Sequence, residues 1–420
     1  MEAERPRQRR RINEPTTSIH AVPDDLLRLI LLRLDSPLWL LRAASACRLF
    51  RRAVAGADGG RAFLRHAASL HPPVVVGHYH VRSGRPIAFV RCPPNPRWLV
   101  PSSPPPPAIG GRRFSLGFLP QSVTTTANWE VVDCHGGLVL LRDNASSCPR
   151  KNLIVCDPLT RRYQGIDRPP PPKNQHHDYF AGTFLLDSGD GSISISNFRV
   201  MCHFRFYADD DPEACVFSAA DGDGWRFLRQ SPADCCMGHV AGRVDGSLYL
   251  NLWDGGVVAL DRASLEFSEV NLPIIAIDGR SSLFTVVHGA GGPDLTSPPT
   301  TTWIIHVYGE KELEFFRLVR GAGGGEWVLE HTISNLSEAT HGLPGCPEKR
   351  LELVKVGVVA VGTGTAVLSA CDHRDRKQLF SIDMETKKLQ AVANKKDYSR
   401  TYRTFAYTLP WPQFLRACPS

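Results

Sequence analysis

The chain has 420 residues, of which 42% are hydrophobic and 22% are charged, and its formal net charge at pH 7 is +7. This composition excludes a chain that is disordered throughout and allows a sizeable core. The length exceeds that of one ordinary domain, so we expect several domains, or a small domain joined to one large architecture.

The N-terminal tail supplies much of the net positive charge, through Arg5, Arg7, Arg9, Arg10 and Arg11. We interpret residues 1–18 as a disordered basic tail, with a nuclear-import or polyanion-binding patch as the alternative. The sequence has no signal-peptide pattern and no uncharged apolar run of about 18 residues. We therefore expect an intracellular protein, in the nucleus, the cytoplasm or both, without membrane or nucleic-acid partners.

The twelve cysteines are scattered along the chain, and several lie within apolar runs. Their spacing fits neither a disulfide framework nor a Cys-x-x-Cys metal site. We expect reduced thiols that are mostly buried.

Residues 22–34 predict an amphipathic helix. Pro23 suits the first helical position, and Asp24 and Asp25 place negative charge at the positive end of the helix dipole. One broad apolar face is expected to hold Leu26, Leu27, Ile30, Leu31 and Leu34, with Leu29 and Leu32 outside it. Only two short helices follow before the β-region, so this apolar surplus predicts an external partner.

The two following helices are also signalled locally. Ser36 and Pro37 cap the second helix, and Cys47 to Val54 form a third apolar set that ends near Gly56. Three helices within about 35 residues are short elements that need mutual packing or a partner.

Residues 19–56 resemble the F-box, whose pattern is a Leu-Pro pair opening a leucine-rich helix, a capped second helix and a Cys-Arg-aromatic third helix. Val22 stands where Leu is usual, and Phe50 stands where Trp is usual. The resemblance implies helix-into-groove docking onto the small Skp adaptor, and through it onto a cullin. A generic three-helix packing unit is the alternative. The implied adaptor-binding residues are Pro23, Leu26, Leu27, Ile30, Leu31, Leu34, Cys47 and Phe50.

After a connecting helix within residues 57–71, residues 72–415 predict a mainly β domain that contains a Pro-rich loop at 92–111. A hairpin module recurs in this domain, with Asp157, Asp261 and Asp383 at the entrance of its turns. A short carboxylate at this position accepts backbone N–H bonds and fixes the bend. Apolar segments at 136–141, 246–253 and 356–370 are interpreted as inner strands, and Gly362-Thr363-Gly364 as a β-bulge or a close-packed stretch within one of them.

Repeated four-strand units favour a β-propeller of five or six blades, closed by pairing the strand near Val74 or Ala88 with residues 404–409. A β-sandwich is the alternative, because the repeats diverge and their period varies. The fold class is thus α+β multidomain, with a small helical domain before a large β-domain.

The β-region also resembles the F-box-associated propeller domains that are abundant in plants. The residues that carry this resemblance are Asp133 to Gly136 and the hairpin Asp157 to Thr160. It implies a target-binding domain, and the loops 173–179, 207–213, 289–302 and 337–348 are the candidates for contacting the target protein.

No catalytic residue, metal site or cofactor site is assigned, because the sequence lacks a nucleophile elbow, a phosphate-binding loop and closely spaced metal ligands. We interpret the chain as the non-catalytic, substrate-recognition subunit of a Skp–cullin–F-box ubiquitin ligase. A propeller enzyme, such as a hydrolase or a carbohydrate-active protein, with a helical extension is the alternative.

Overall fold

The computed structural model divides the chain into two compact units, a helical unit of residues 1–71 with 411–420 and a β-unit of residues 72–410. None of the described helices has the length and apolarity that a membrane span requires. The structure describes residues 22–34, 37–56, 60–70, 74–81, 86–91, 111–120, 129–143, 153–167, 169, 179–188, 193–205, 213–221, 224–228, 237–244, 246–252, 257–270, 283–288, 301–308, 312–321, 324–344, 346, 353–362, 364–373, 377–392 and 403–411.

Four helices form the helical unit: α1 (Asp24–Leu32), α2 (Pro37–Ala46), α3 (Arg48–Ala55) and α4 (Arg61–Leu70). Their shared core consists of Leu27, Leu31, Leu40, Ala53, Val54 and Leu64. Trp411, which the sequence analysis assigned to the β-domain, packs against this core. The core of the helical unit therefore draws on residues from both ends of the chain.

Six sheets make up the β-unit, and they form a six-bladed β-propeller. The β-sandwich alternative is wrong, because each run of consecutive strands forms its own sheet rather than one face of a pair. Blade 1 combines β1 (Val74–Val81), β2 (Ala88–Arg91) and β23 (Arg403–Leu409). Blade 2 contains β3 (Trp129–His135), β4 (Leu138–Asp143), β5 (Leu153–Asp157) and β6 (Arg162–Ile166).

The four remaining blades are each built from consecutive strands. Blade 3 contains β7 (Tyr179–Leu186), β8 (Arg199–Arg205), β9 (Glu213–Ser218) and β10 (Trp225–Phe227). Blade 4 contains β11 (Met237–Val244), β12 (Ser247–Leu252), β13 (Val257–Asp261) and β14 (Phe267–Glu269). Blade 5 contains β15 (Leu283–His288), β16 (Thr302–Tyr308), β17 (Glu312–Gly321) and β18 (Gly324–Ile333), and the short helix α5 (Leu336–Ala339) follows it. Blade 6 contains β19 (Leu353–Gly362), β20 (Thr365–Asp372), β21 (Lys377–Asp383) and β22 (Leu389–Ala391).

The ring closes through blade 1, as the sequence predicts. The C-terminal strand β23 pairs antiparallel with β1 from Val74↔Leu409 to Val81↔Arg403. β23 thereby becomes the innermost strand of its blade and lies between β19 and β3, the innermost strands of the two adjacent blades. Because β1 and β2 form the outer part of the same blade, both ends of the β-unit are held in one sheet.

Apolar side chains fill the interfaces between successive blades. Strands such as β4, β5, β13 and β16 are buried along most of their length, because blades cover both of their faces. The described interface between blades 6 and 1 is smaller, and it centres on Leu379 with Val90, Val359 and Val367. There the His78 ring Nε2 lies 2.9 Å from the carbonyl oxygen of Val361, and the Thr404 hydroxyl donates to the carbonyl oxygen of Val359.

The three predicted Asp turns are confirmed. Asp157 accepts from the N–H groups of Leu159 and Thr160, at 3.0 and 3.3 Å. Asp261 and Asp383 accept from the N–H groups two and three residues later in the same way. These donors lower the pKa of Asp261, with the Ser264 N–H as the main cause. Four residues after each Asp, the chain adopts a left-handed conformation, at Arg161, Leu265 and Lys387.

The segments at 136–141 and 246–253 contain β4 and β12, the second strands of their blades, which agrees with their interpretation as inner strands. One detail of the strand prediction is wrong. The segment at 356–370 contains two strands, and Gly362 at the end of β19 pairs with Thr365 at the start of β20, so Gly362 belongs to the last pair of a hairpin and not to a bulge. Period-2 patterning does not distinguish a bulge from the end of a hairpin when the residues there are small.

The seven cysteines in the described part of the chain are free thiols, as expected, and Cys134, Cys156, Cys202 and Cys215 are buried. The whole predicted basic tail, residues 92–110 of the predicted Pro-rich loop, and Ser36 of the second-helix cap lie outside the described residues.

Closure can be tested at Tyr407, whose buried hydroxyl donates to the carbonyl oxygen of Gly137 at 3.0 Å. We expect Tyr407→Phe to lower the free energy of unfolding by about 1–3 kcal/mol, because the change leaves a buried carbonyl without its partner. Chemical denaturation of the full chain measures this. Tyr163→Phe is the matched control, because Tyr163 is 48% exposed. An equal effect at both sites would contradict the closing role of the Tyr407 bond.

Stability should also depend on pH through His78 and His203, each on the second strand of its blade. Burial lowers the pKa of both rings to about 4. The unfolded chain therefore takes up protons below about pH 6.5 that the folded chain excludes, so stability is lost as the pH falls from 6.5 to 4. Each ring contributes up to about 3 kcal/mol to this loss.

The measurement is the denaturation midpoint between pH 4 and 8. His203→Gln should flatten its decline, whereas His341→Gln, at an exposed position, should not. Parallel curves for the two variants would refute the assignment.

Candidate partner-binding site

Helix α1 begins at Asp24, one residue later than predicted. Pro23 is the N-cap rather than the first helical residue, and it makes no side-chain capping bond. Asp24 and Asp25 occupy the first turn, where the helix dipole favours negative charge. The Asp24 carboxylate also receives a 3.3 Å hydrogen bond from Arg52 of α3. These contacts fix the start of α1 against α3.

The inner side of α1 is covered by the helical unit itself. Leu27 and Leu31 are 1% and 3% exposed and belong to the shared core, and Leu32 is also buried. The Arg28 side chain donates to the carbonyl oxygen of Ala53 at 2.8 Å, which joins α1 to the last turn of α3. The orientation of α1 is therefore set by packing on one side.

The opposite side of α1 presents large apolar side chains to solvent. Leu26, Leu29 and Ile30 are 51%, 51% and 56% exposed. Their spacing of three and four residues places them next to one another on a helix surface. Leu41 of α2 is also exposed. Three half-exposed aliphatic side chains on a nine-residue helix are a surface that a partner can cover.

Only part of the predicted set lies on this surface. Leu26 and Ile30 are exposed with it, whereas Leu27 and Leu31 lie in the core, where this conformation offers them to no partner. Leu34 and Phe50 pack partly buried against that core. Pro23 is exposed, and Cys47 is partly exposed at the N-cap of α3.

The predicted apolar face excludes Leu29, although Leu29 is as exposed as Leu26 and Ile30 and lies on the same side of α1. Its three-residue spacing from Leu26 is the sequence signal for this position. A helix that is apolar nearly all round does not reveal which side its own chain will cover.

A second group of functional interest is an ion-pair cluster between blades 2, 3 and 4. The Asp133 carboxylate on β3 accepts from the N–H of Cys134 at 2.8 Å and from the N–H of Leu185 at 2.7 Å. Arg243 on β11 of blade 4 donates both to Asp133 of blade 2 and to the carbonyl oxygen of Leu185 in blade 3. The innermost strands of three successive blades are thus tied by one arginine.

The cluster continues at Asp187, which follows β7. Arg262 donates to its carboxylate, and Arg199 Nη2 lies 3.9 Å from it. Burial raises the pKa of Asp187, and the arginines oppose this rise. His135 lies beside Arg262, with 3.5 Å between His135 Nε2 and Arg262 Nη1. Burial, with Arg243 and Arg262, holds the pKa of His135 well below its usual value, so the ring is neutral.

The chemistry of this cluster is that of a structural cross-link. Both carboxylates are held by arginine, and the neutral His135 is positioned to accept from Arg262. Among the described residues, no group of three or more His, Cys, Asp or Glu side chains could hold a metal ion.

Three of the predicted target-contacting loops lie almost wholly outside the described residues, which omit 173–178, 207–212 and 289–300. Most of the fourth loop, 337–348, is described, and it begins within α5, whose N-cap Asn335 accepts from the N–H of Glu338. The contribution of these loops to target binding stays a prediction.

No protein-family model matches the sequence, and no curated protein matches it. Among solved structures, puromycin hydrolase is similar at 14% identity and a TM-score of 0.35, over 66% of this chain and only 38% of the hydrolase chain. The Aleuria aurantia lectin in complex with Fucα1-6GlcNAc is similar at 10% identity and a TM-score of 0.34, over 69% of this chain and 80% of the lectin. A DUF4784 family protein from Bacteroides caccae is similar at 9% identity and a TM-score of 0.38, over 80% and 75%. These TM-scores are below 0.5 and say nothing about function. The strand pairing alone identifies the β-unit as a propeller.

The structural role of the ion cluster predicts a large cost for Arg243→Met. The substitution leaves the 4% exposed Asp133 carboxylate without its cation, and we expect a loss of about 3–5 kcal/mol in unfolding free energy. Arg317→Met is the matched control, because Arg317 and its partner Glu330 are 48% and 40% exposed, and its cost should be below about 1 kcal/mol. Denaturation of both variants checks this, and similar costs would argue against a buried cross-link.

Proposed function

We propose that this protein is the substrate-recognition subunit of a Skp–cullin–F-box ubiquitin ligase. The helical unit binds the Skp adaptor, and the β-propeller binds the target protein. The observation that carries the proposal is the division of α1 into two sides, one buried in the core and one exposing Leu26, Leu29 and Ile30. The resemblance of residues 19–56 to the F-box supplies the identity of the partner.

The exposed side of α1 is suited to a helix-into-groove contact. Anchors at i, i+3 and i+4 are the pattern by which an amphipathic helix enters an apolar groove. Covering the exposed halves of three such side chains contributes about 2–4 kcal/mol, or roughly 30- to 1,000-fold in affinity. The contacts expected from the adaptor therefore centre on Leu26, Leu29 and Ile30, while Leu27 and Leu31 hold the helix in place.

The proposed binding of a target protein by the β-propeller is supported by the propeller's suitability as a rigid scaffold. Its hairpins project from six sheets that are packed against one another, and recognition loops on such scaffolds are commonly functional. In this role the chain positions a target, and the catalytic subunits carried by the cullin transfer ubiquitin.

The alternative function, a propeller enzyme, gains support from one observation, the convergence of Asp133, His135 and Asp187 near the innermost strands. General acid–base catalysis needs a group that is free to exchange a proton with the substrate. In the described cluster, Arg243 and the N–H of Leu185 donate to the Asp133 carboxylate, and Arg262 donates to the Asp187 carboxylate. We therefore favour the receptor role.

The proposal is tested by substituting the exposed side of α1 in the full-length chain. Leu26→Asp and Ile30→Asp should each lower the affinity for purified Skp adaptor by at least about 30-fold, because each puts a charge into an apolar contact. Binding is measured by surface plasmon resonance on the immobilised chain, and circular dichroism confirms that the variants are folded.

Leu159→Asp provides the matched control, because Leu159 is an exposed aliphatic residue of the β-unit and its change should leave adaptor binding intact. Leu31 is unsuitable as a test site, because an aspartate in the helical core would unfold it. If folded Leu26→Asp and Ile30→Asp chains bind the adaptor as the wild type does, the proposed role is wrong.

A further inference from the structure

The outer edge of blade 5 differs from that of the other blades. Its outermost strand β18 has ten residues, whereas the outermost strands β6, β10, β14 and β22 have five, three, three and three. Propellers ordinarily leave only short, protected edges. The outer edge of blade 5 is therefore at least twice as long as the outer edges of blades 2, 3, 4 and 6.

Among the described strands, only β17 pairs with β18. β18 pairs with β17 from Leu313↔Ile333 to Gly321↔Gly324, and no described strand pairs with its other side. Along such an edge, alternate residues direct their N–H and C=O groups away from the sheet. An unpaired row of this kind is a template for a further strand.

The side chains on this edge have a distinct pattern. Val328 and Leu329 of β18 are 41% and 42% exposed. Glu326 and Val328 share a face, because they are two residues apart. Glu330 reaches the same face, because it forms a 2.6 Å ion pair with Arg317, which lies opposite Val328. The face thus presents the Glu326 carboxylate on one side of Val328 and, on the other side, the Glu330 carboxylate in its ion pair with Arg317.

We propose that β18 binds an extended segment of another protein as a fifth strand of blade 5, and that this segment carries basic residues on either side of an apolar one. Backbone hydrogen bonds supply general affinity in this mode, and alternate side chains supply specificity. Lysine or arginine opposite Glu326 and Glu330, with an aliphatic residue opposite Val328, gives favourable cross-strand pairs.

The same pattern disfavours a second copy of this chain. Antiparallel pairing of two β18 strands about Val328 would set Glu326 of one copy opposite Glu330 of the other. Like charges directly opposite across strands are destabilising. In this register the charge pattern favours an occupant of opposite charge over a second copy. This inference goes beyond the proposed function, because a strand can dock on β18 whatever the helical unit binds.

The experiment uses the full chain and two nine-residue peptides, one in which lysine and valine alternate and one with glutamate in place of each lysine. Fluorescence anisotropy should show that the lysine peptide binds at least 10-fold more tightly than the glutamate peptide. Glu326→Lys should weaken binding of the lysine peptide at least 10-fold. Glu269→Lys, at the end of the three-residue outer strand β14, is the matched control and should leave it unchanged.

Amide hydrogen exchange separates strand addition from loose electrostatic attraction. Bound lysine peptide should slow exchange within residues 324–333 and leave residues 225–227 unaffected. Equal affinities for the two peptides, equal effects of the two substitutions, or protection elsewhere in the propeller would overturn the proposal. So would a dimer of the wild-type chain in analytical ultracentrifugation that Glu326→Lys dissociates, because the occupant would then be a second copy.

The Leu26→Asp and Ile30→Asp chains should bind the lysine peptide as the wild type does. Loss of adaptor binding in those variants therefore leaves this result independent, and failure of the peptide experiment leaves the proposed function standing.

Discussion

The antiparallel pairing of β23 with β1 is the constraint on which the β-unit depends. Five blades are assembled from consecutive strands, and only blade 1 requires residues from both ends of the unit. Without β23, the ring of innermost strands would be open between β19 and β3. In the described part of the interface between blades 6 and 1, hydrogen bonds from blade 1 to Val359 and Val361 supplement a small apolar contact.

The second constraint is the asymmetry of α1. A nine-residue helix is too short to be stable alone, and its stability comes from the side buried among α2, α3 and α4. The same burial fixes the direction of the opposite side, where Leu26, Leu29 and Ile30 are held in place with half of their surface in water. One side of α1 therefore stabilises the helical unit, and the other side is exposed to a partner. A substitution on either side of α1 can affect both roles.

Local features of the structure could be predicted from the sequence, and long-range ones could not. The Asp turns at 157, 261 and 383 follow from side-chain hydrogen bonds within three residues, so the residue pattern was sufficient. Ring closure could also be predicted, because apolar segments remained at both ends of the β-region. The ion cluster gave no sequence signal, since Asp133 and Arg243 are 110 residues apart. Which leucines of α1 face inward depends on packing against α3, and helical periodicity alone left that choice open.

Blade 1 also sets an order of events during protein synthesis. β1 and β2 leave the ribosome about 320 residues before β23 exists, which at about 5–20 residues per second corresponds to roughly 20–60 s. Throughout this interval the side of β1 that will face β23 lacks its partner, while blades 2 to 6 can each complete a sheet from contiguous chain. β1 and β2, the first strands of the β-unit to be translated, are thus the last to gain a complete native sheet, and a nascent chain with this topology benefits from chaperones that shield exposed strand edges.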